Sequence, residues 1–178
     1  MNTLRKMFFA LALLASGLTI AAQEATEDPD VKYAAELLKP ETVAPDFKIL
    51  NNDNAKDVSL SQFRGQFVVV EFWASWCPDC RALNPTMIAL YNKYKGKDIE
   101  FLGVSFDTDK STLDKYLSTS GITWTQVSEF KKWKETEISK KYGIKWIPTV
   151  YIIDKKGKVV FTSLDEKGVD EKLSELLK

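Results

Sequence analysis

QFVVVEFWASWCPDC, residues 66 to 80, is the part of the chain that says most about its fold. Its first eight residues are almost all β-branched or aromatic, which predicts a strand that is buried on both faces of a parallel or mixed sheet. Cys77 and Cys80, the only cysteines among 178 residues, follow directly. Pro78 suits the first position of a helix, and residues 82–96 carry apolar side chains at helical spacing. The stretch predicts a strand, a tight turn that holds both sulfurs, and a long helix.

Strand and helix patterns alternate along the rest of the chain. The turn DKKGK, residues 154–158, lies between two strand patterns and predicts a hairpin. Upstream, residues 44–50 and 57–63 predict two short strands that flank a turn-rich loop. Together the patterns predict an α/β fold in which helices cover both faces of a central sheet. The other predicted strands are 66–73, 99–106, 122–127, 149–154 and 159–163, and the predicted helices are 31–39, 82–96, 109–121, 136–144 and 169–178.

Residues 1–22 have the composition of a secretory signal peptide. Arg5 and Lys6 precede the apolar run MFFALALLASGLTIAA, which ends at the small residues Ala21 and Ala22. This run is shorter than the ~20 residues that a spanning helix needs, which favours a cleaved leader over a retained membrane anchor. No cysteine follows the run, so no lipid anchor is predicted. We expect a periplasmic or otherwise extracytoplasmic protein, in a compartment where disulfides persist.

The remainder of the chain is the size of one compact domain, and hydrophobic residues make up 44% of the sequence. We expect a polar segment with a short helix over 23–43 and a single domain over 44–178. Without the leader, 23 of the 25 basic residues and all 25 acidic residues remain, and this balance does not attract nucleic acid. The absence of histidine excludes histidine-dependent nucleophiles, His-ligated zinc and imidazole acid–base chemistry.

Cys77 and Cys80 are the candidate redox pair. At a helix N-terminus, unpaired N–H groups and the helix dipole lower the pKa of Cys77 below the ~8.5 of a free thiol. Cys80, one turn further, can attack a mixed disulfide formed at Cys77, and this couple needs no other cofactor. A structural disulfide across so short a loop would contribute only about 2 kcal/mol. Two cysteines without histidine are a poor start for a metal site, so no metal is predicted.

Three neighbouring residues could modify this chemistry. Glu71 interrupts the apolar strand, where burial would raise its pKa and let it take the proton of Cys80 during resolution. Alternatively, Glu71 lies at a strand edge and reaches solvent or pairs with a lysine. Asp79 either opposes a thiolate at Cys77, which makes the couple less oxidising, or is only a solvated capping acid. Trp76 is a candidate exposed surface against which a partner packs.

These motifs resemble those of the thioredoxin superfamily. The resemblance is carried by FVVVEFWASWCPDC, by the proline eight residues beyond Cys77, and by WIPT at 146–149. The leader, the APDFKIL…VSLSQFRGQ opening and residues 106–124 are similar to its extracytoplasmic TlpA/ResA-like branch, from about Ala44 to the C-terminus. The resemblance implies a thioredoxin fold: a central mixed β-sheet flanked by helices on both faces, with an N-terminal β extension and a central βα insertion.

The resemblance also implies roles for single residues. Cys77 corresponds to an exposed nucleophile, Cys80 to the resolving cysteine and Glu71 to a buried acid. Pro148 corresponds to a cis-proline that lies across from the sulfurs and offers a main-chain edge to the substrate. Pro85 corresponds to a kink in the helix, whereas Asp79 departs from the usual dipeptides between the cysteines. Substrate contacts are expected at Trp76, Pro78, Asp79, Ile147 and Pro148.

The resulting hypothesis is an extracytoplasmic thiol–disulfide oxidoreductase that reduces protein disulfides through a Cys77–Cys80 couple. Oxidised proteins would be its substrates, and a membrane electron donor of the thiol–disulfide type would be its partner.

Two alternatives stay open. A peroxide reductase is suggested by the opening, which is shared with peroxiredoxins, but their P-x-x-x-T-x-x-C pattern is missing. A copper-binding module could use both thiolates, although such relatives add a histidine ligand.

Overall fold

The structure is a computed structural model that describes residues 32–53 and 56–178. The predicted signal peptide, the polar residues 23–30 and Val31, the first residue of the predicted helix 31–39, lie outside the described residues. Within the described part of the chain, no helix has both the length and the apolar character needed to cross a membrane.

Strands and helices alternate along the described chain, as predicted. Seven strands and four helices carry the argument below. The strands are β1 (Lys48–Leu50), β2 (Asp57–Ser59), β3 (Phe67–Trp73), β4 (Ile99–Ser105), β5 (Thr125–Ser128), β6 (Thr149–Ile153) and β7 (Val159–Ser163), and the helices are α1 (Pro78–Tyr94), α2 (Lys110–Ser120), α3 (Glu137–Lys141) and α4 (Val169–Leu176).

The central sheet has the strand order β5-β4-β3-β6-β7. β3 lies in the middle, parallel to β4 and antiparallel to β6, so the sheet is mixed. The predicted hairpin is confirmed as β6 and β7, and its turn holds Gly157 at a φ of 85°, a conformation that glycine adopts without a steric cost. Because β3 is central, the loop that follows its carboxyl end is supported by strands on both sides.

Both faces of β3 are covered, as its sequence predicts, and six of its seven residues are buried. Successive side chains of a strand point to opposite faces, so Glu71 and Trp73 share one face and Phe72 lies on the other. The Trp73 ring packs against Tyr116 of α2 at 5.7 Å, and the Phe72 ring packs against Tyr142, directly after α3, at 5.1 Å. Helical layers therefore cover the sheet on both sides.

Helices α1, α2 and α4 form one connected layer. The side-chain amide of Asn84 in α1 donates a hydrogen bond to the Tyr116 hydroxyl of α2 at 2.5 Å. At the other end of α1, the Tyr94 hydroxyl donates to the Asp170 carboxylate of α4 at 2.7 Å. These bonds hold the middle and the C-terminal end of α1 against its two neighbours.

The first upstream strand is shorter than the predicted 44–50, because β1 begins only at Lys48. Ala44 donates its N–H to the carbonyl of Gly157 in the β6–β7 turn at 2.9 Å, so this part of the chain pairs with the central domain. Pro45 has no N–H to give to a ladder with β2. The prediction was wrong here because a long-range partner takes the place of the local one.

The second upstream strand is also shorter than the predicted 57–63, since β2 ends at Ser59. Ser59 and Gln62 form a capping box, in which each side chain bonds the other residue's main chain. This local arrangement starts the 3-10 turn Leu60–Phe63, which replaces the end of the predicted strand.

The predicted helix over 31–39 ends early. Residues 32 and 33 are helical and Ala34–Glu36 form a 3-10 turn, but Leu37 is extended, with φ −67° and ψ 149°. The next residue, Leu38, donates its N–H to the Tyr151 hydroxyl of β6 at 3.2 Å. The chain leaves the helical path here because burial of Leu37 and this hydrogen bond tie it to the sheet.

Candidate active site

The two cysteines lie where the central strand passes into α1. Cys77 caps the N-terminus of the helix, and its N–H donates to the carbonyl of Ala74 at 3.2 Å, which closes a tight turn after β3. Pro78 occupies the first helical position, as predicted, where a missing N–H costs no hydrogen bond. Cys80 lies one turn further and is fully buried.

The two sulfurs are not equivalent. Both cysteines are free thiols, and the Cys80 thiol faces the Cys77 sulfur. The Cys80 thiol, and after it the main-chain N–H groups of Cys80 and Asp79, lower the pKa of Cys77 to about 7, against opposing effects of burial and of the Asp79 carboxylate. Burial first, and then the hydrogen bond to Cys77, raise the pKa of Cys80. Cys77 therefore ionises first, and Asp79 acts on it in the direction predicted from the sequence.

Cys77 is less accessible than the resemblance implies, with only 4% of the residue exposed. Its sulfur lies 3.6 Å from the carbonyl oxygen of Ile147, which can accept a hydrogen bond from the thiol. The Ile147–Pro148 peptide bond is cis, in agreement with the resemblance. The expectation of an exposed nucleophile was wrong for this reduced form because the loop before β6 lies against the sulfur.

Glu71 is buried in the middle of the sheet, with 1% of the residue exposed. It is paired with Gly103 of β4 and Val150 of β6, so the alternative of an acid at a strand edge was wrong. Neither carboxylate oxygen has a hydrogen-bond partner in the described structure. Burial, and to a smaller extent the charge of Cys77, raise the pKa of Glu71 to about 8. The charge of Glu71 in turn contributes to the raised pKa of Cys80, although neither Glu71 oxygen is hydrogen-bonded to that thiol.

The surface around the sulfurs combines an exposed ring with a cavity. Trp76 is 57% exposed, directly before Cys77. A cavity of about 290 Å³ is lined by Pro148, Asp79 and Trp146, among others. The structure thus brings all five predicted contact residues to one region. Trp76 directly precedes Cys77, Pro78 and Asp79 are exposed at the start of α1, Pro148 lines the cavity, and Ile147 touches Cys77.

Sequence reasoning missed Asp107, which lies two residues beyond the end of β4 and is 1% exposed. Its carboxylate accepts hydrogen bonds from the N–H and the hydroxyl of Ser75, in the loop before Cys77. The available signal was an acid directly after the buried strand IEFLGVSF. Ligand and active-site groups of open α/β sheets gather at the carboxyl ends of such strands.

The described residues offer few side chains that could together bind a metal ion. Within residues 32–53 and 56–178, no group of three or more His, Cys, Asp or Glu side chains is arranged to hold a metal ion. Copper binding would therefore depend on Cys77 and Cys80. The expectation that the couple works without a further cofactor stays a prediction.

Comparison with known proteins places this geometry in a family. The sequence profile of the AhpC/TSA family matches residues 40–162. The chain belongs to the AhpC/TSA family. The thiol-disulfide oxidoreductase ResA of Geobacillus thermodenitrificans is 31% identical over 156 residues, which cover 88% of this chain and 83% of the relative. ResA of Bacillus thuringiensis subsp. konkukian is 31% identical over 135 residues, which cover 76% of this chain and 75% of the relative.

Solved structures agree with these relatives. The thioredoxin domain of a thiol-disulfide oxidoreductase from Bacteroides vulgatus superposes with a TM-score of 0.72 and 27% identity, over 79% of this chain and 99% of that one. A thiol-disulfide oxidoreductase from Bacteroides fragilis gives a TM-score of 0.71 and 29% identity, over 76% and 100% of the two chains. The predicted thioredoxin fold is confirmed, and this AhpC/TSA family member is a thiol–disulfide oxidoreductase.

Proposed function

We propose that this protein reduces protein disulfides outside the cytoplasm, with Cys77 as the attacking sulfur and Cys80 as the resolving one. The observation that carries the proposal is the different placement of the two sulfurs: Cys77 caps α1 and accepts the Cys80 N–H at 3.2 Å, whereas Cys80 is fully buried. These surroundings lower the pKa of Cys77 to about 7 and raise that of Cys80. At neutral pH a large share of Cys77 is a thiolate while Cys80 keeps its proton. The thiolate is the nucleophile in disulfide exchange, so attack begins at Cys77.

The reaction then proceeds in two exchanges. The Cys77 thiolate attacks one sulfur of the substrate disulfide, the substrate S–S bond breaks, and the other substrate sulfur leaves as a thiolate that takes a proton. Cys80 next loses its proton and attacks the Cys77 sulfur, which releases the second substrate thiolate and forms the Cys77–Cys80 disulfide. The second substrate thiolate also takes a proton from solvent, so the substrate has gained two electrons from the two cysteines and two protons.

Glu71 is the proposed acceptor of the Cys80 proton. The charge of Cys77 contributes to the raised pKa of Glu71, and this charge disappears when Cys77 is bonded to the substrate. Glu71 then ionises more readily, at the step in which a base is needed. A buried carboxyl whose pKa lies near the working pH is suited to general base catalysis.

The substrate class, the direction of electron flow and the cellular location are each supported by a different feature. The exposed Trp76 ring beside the reactive sulfur fits a polypeptide substrate, since aromatic residues carry much of the binding energy of protein interfaces. Asp79 destabilises the Cys77 thiolate and with it the reduced form, which favours a reductant. The leader composition supports an extracytoplasmic location, and a membrane thiol–disulfide donor would return Cys77 and Cys80 to the dithiol.

Trapping of the mixed disulfide tests the proposal. The Cys80→Ser variant, expressed with its leader, should accumulate protein adducts at Cys77 that reducing agent releases, and the adducts should fractionate with the extracytoplasmic proteins. Cys77→Ser is the matched control and should trap almost nothing. Equal trapping by both variants would reverse or remove the assigned roles.

The purified couple tests the direction of electron flow. We expect the reduced chain to reduce the disulfides of a model protein such as insulin and to become oxidised at Cys77 and Cys80. A midpoint potential near about −120 mV, as in strongly oxidising periplasmic enzymes, contradicts a reductant. Rapid stoichiometric consumption of hydrogen peroxide by the reduced chain would favour the peroxide reductase instead.

A further inference from the structure

Asp107 is a buried acid outside the cysteine motif whose hydrogen bonds reach the loop before Cys77. One carboxylate oxygen accepts a hydrogen bond from the Ser75 hydroxyl at 2.5 Å. The other accepts from the Ser75 N–H at 2.9 Å and from the Ser105 hydroxyl at 2.7 Å. These donors are two hydroxyls and one main-chain N–H, with no lysine or arginine among them. A buried carboxylate is costly unless its oxygens are hydrogen-bonded, and here both are.

The hydrogen bonds to Ser75 act on the loop that leads directly to Cys77. Ser75 lies between the end of β3 and the helix cap Cys77, in a loop of three residues. One side of the loop is held by the Phe106 N–H, which donates to the carbonyl of Trp73 at 2.9 Å. Ser75 is held to Asp107 through both its main chain and its side chain. The loop is therefore attached to the end of β4 immediately before the nucleophile.

Asp107 is itself held in place by hydrogen bonds from β4 and β5. The main-chain N–H of Asp107 donates to the Ser105 hydroxyl at 3.0 Å. From the neighbouring strand β5, the Ser128 hydroxyl donates to the carbonyl of Ser105 at 2.9 Å. Asp107 is thus held by residues of two sheet strands, and through its bonds to Ser75 it holds the loop in place relative to those strands.

We propose that Asp107 is a positioning residue for thiol–disulfide exchange, which holds Ser75 and so keeps the Cys77 sulfur over the first turn of α1. In that position the sulfur faces the Cys80 thiol and accepts the Cys80 N–H at 3.2 Å. A shift of the loop lengthens this bond and weakens the stabilisation of the thiolate. The inference rests on the proposed role of Cys77 and adds a residue that acts on it through Ser75.

The test is the pH dependence of Cys77 alkylation by iodoacetamide, followed by mass spectrometry so that Cys77 and Cys80 are distinguished. Asp107→Asn keeps one acceptor oxygen but places an NH₂ group against a Ser75 donor. We expect the midpoint of the profile to rise by about one pH unit, which corresponds to roughly fivefold slower alkylation at pH 7. Loss of a negative charge alone would lower the midpoint, so a rise reports repositioning.

Two serine variants separate positioning from general destabilisation. Ser75→Ala removes only the hydroxyl bond and should raise the midpoint by a smaller amount. Added to Asp107→Asn, it should have little further effect, because the two changes break the same link. Ser111→Ala is the matched control: it removes a serine hydroxyl bond of 2.7 Å to Asp109, an exposed acid at the start of α2, and should leave the midpoint unchanged.

Several results would overturn the inference. One is an unchanged or lowered midpoint in Asp107→Asn, even with a lower melting temperature. If that variant does not fold, equal midpoints for Ser75→Ala and Ser111→Ala would also overturn the inference. If Cys77 of the unsubstituted protein is not acidic, the proposed function is overturned as well. If Cys77 is acidic there and the variants have the same midpoint, only the role of Asp107 is overturned.

Discussion

The Cys77 sulfur and the Ile147 carbonyl oxygen lie 3.6 Å apart, although 70 positions separate them in the sequence. The contact joins the N-terminus of α1 to the cis-proline loop before β6. A substrate disulfide has to reach the sulfur beside this loop, between the exposed Trp76 and the cavity that Pro148 lines. Residues at this junction should therefore influence the reactivity of the Cys77 thiol, the binding of its substrate, or both.

Asp79 should tune the acidity of Cys77. Its carboxylate raises the pKa of the Cys77 thiol, so Asp79→Asn should lower the midpoint of the alkylation profile, by about half a unit for an exposed and screened charge. The reduced form gains stability, and equilibration with glutathione should show a more oxidising couple. Glu171→Gln, which removes an exposed acid from the first turn of α4, should change neither quantity. An unchanged profile in Asp79→Asn would leave it as a solvated capping acid.

Glu71 should matter for resolution more than for attack. In Glu71→Gln no carboxylate accepts the Cys80 proton, so decay of the mixed disulfide should slow about 100-fold, within the usual range for a general base. Formation of the mixed disulfide should change much less, because Cys77 is already acidic. Rapid-quench kinetics with a disulfide peptide separates the two steps. Equal slowing of both would remove Glu71 from the mechanism.

Burial of Glu71 should also make stability depend on pH. The folded pKa is about 8 against 4.5 in an unfolded chain, so between these values the folded state keeps a proton that the unfolded state has lost. The free energy of unfolding should therefore fall as pH rises, by up to roughly 1.4 kcal/mol per pH unit. Urea unfolding of the reduced protein at pH 5, 6 and 7 checks this against Glu71→Gln, in which this slope should be absent. Parallel curves for the two proteins would mean that Glu71 ionises normally.

Trp76 should discriminate between protein and small-molecule substrates. Trp76→Ala removes an exposed ring beside the nucleophile, and we expect kcat/KM for a protein disulfide to fall about tenfold. Reduction of oxidised glutathione, which is too small to cover the ring, should stay within about twofold. Leu50→Ala is the control, since Leu50 is similarly exposed, at 52%, but lies on β1. A parallel loss with both substrates would contradict a docking role.

Gly103 should tolerate no side chain. A Cβ there would lie 2.0 Å from the side-chain oxygen of Gln126, which is buried and accepts the Trp73 indole N–H at 2.9 Å. Gly103→Ala displaces this amide and leaves a buried N–H unpaired, at a cost of about 1–3 kcal/mol in urea unfolding. In a Gln126→Ala background, where the clash and the bond are both absent, the same change should cost much less. Equal costs in both backgrounds would refute this explanation.

Local patterns in the sequence were sufficient for the elements that carry the sulfurs. The apolar run before Trp73 predicted a covered strand, and Pro78 predicted the helix start beside Cys77, because strand burial and helix capping depend on residues a few positions apart. The predicted ends at 44–50 and 57–63 were wrong. There, the bond from Ala44 to Gly157 and a local capping box outweigh strand propensity.

Local sequence patterns were enough to place a strand, two sulfurs and a helix one after another, and the position of Cys77 at the helix N-terminus with its acidity follows from that order. Long-range contacts were needed to show that Glu71 lies in a central strand without a hydrogen-bond partner, that Ile147 covers Cys77, and that Asp107 holds Ser75. Each of these depends on which strands become neighbours. Sheet order is set by burial and pairing between residues far apart in the chain, and no local period records it.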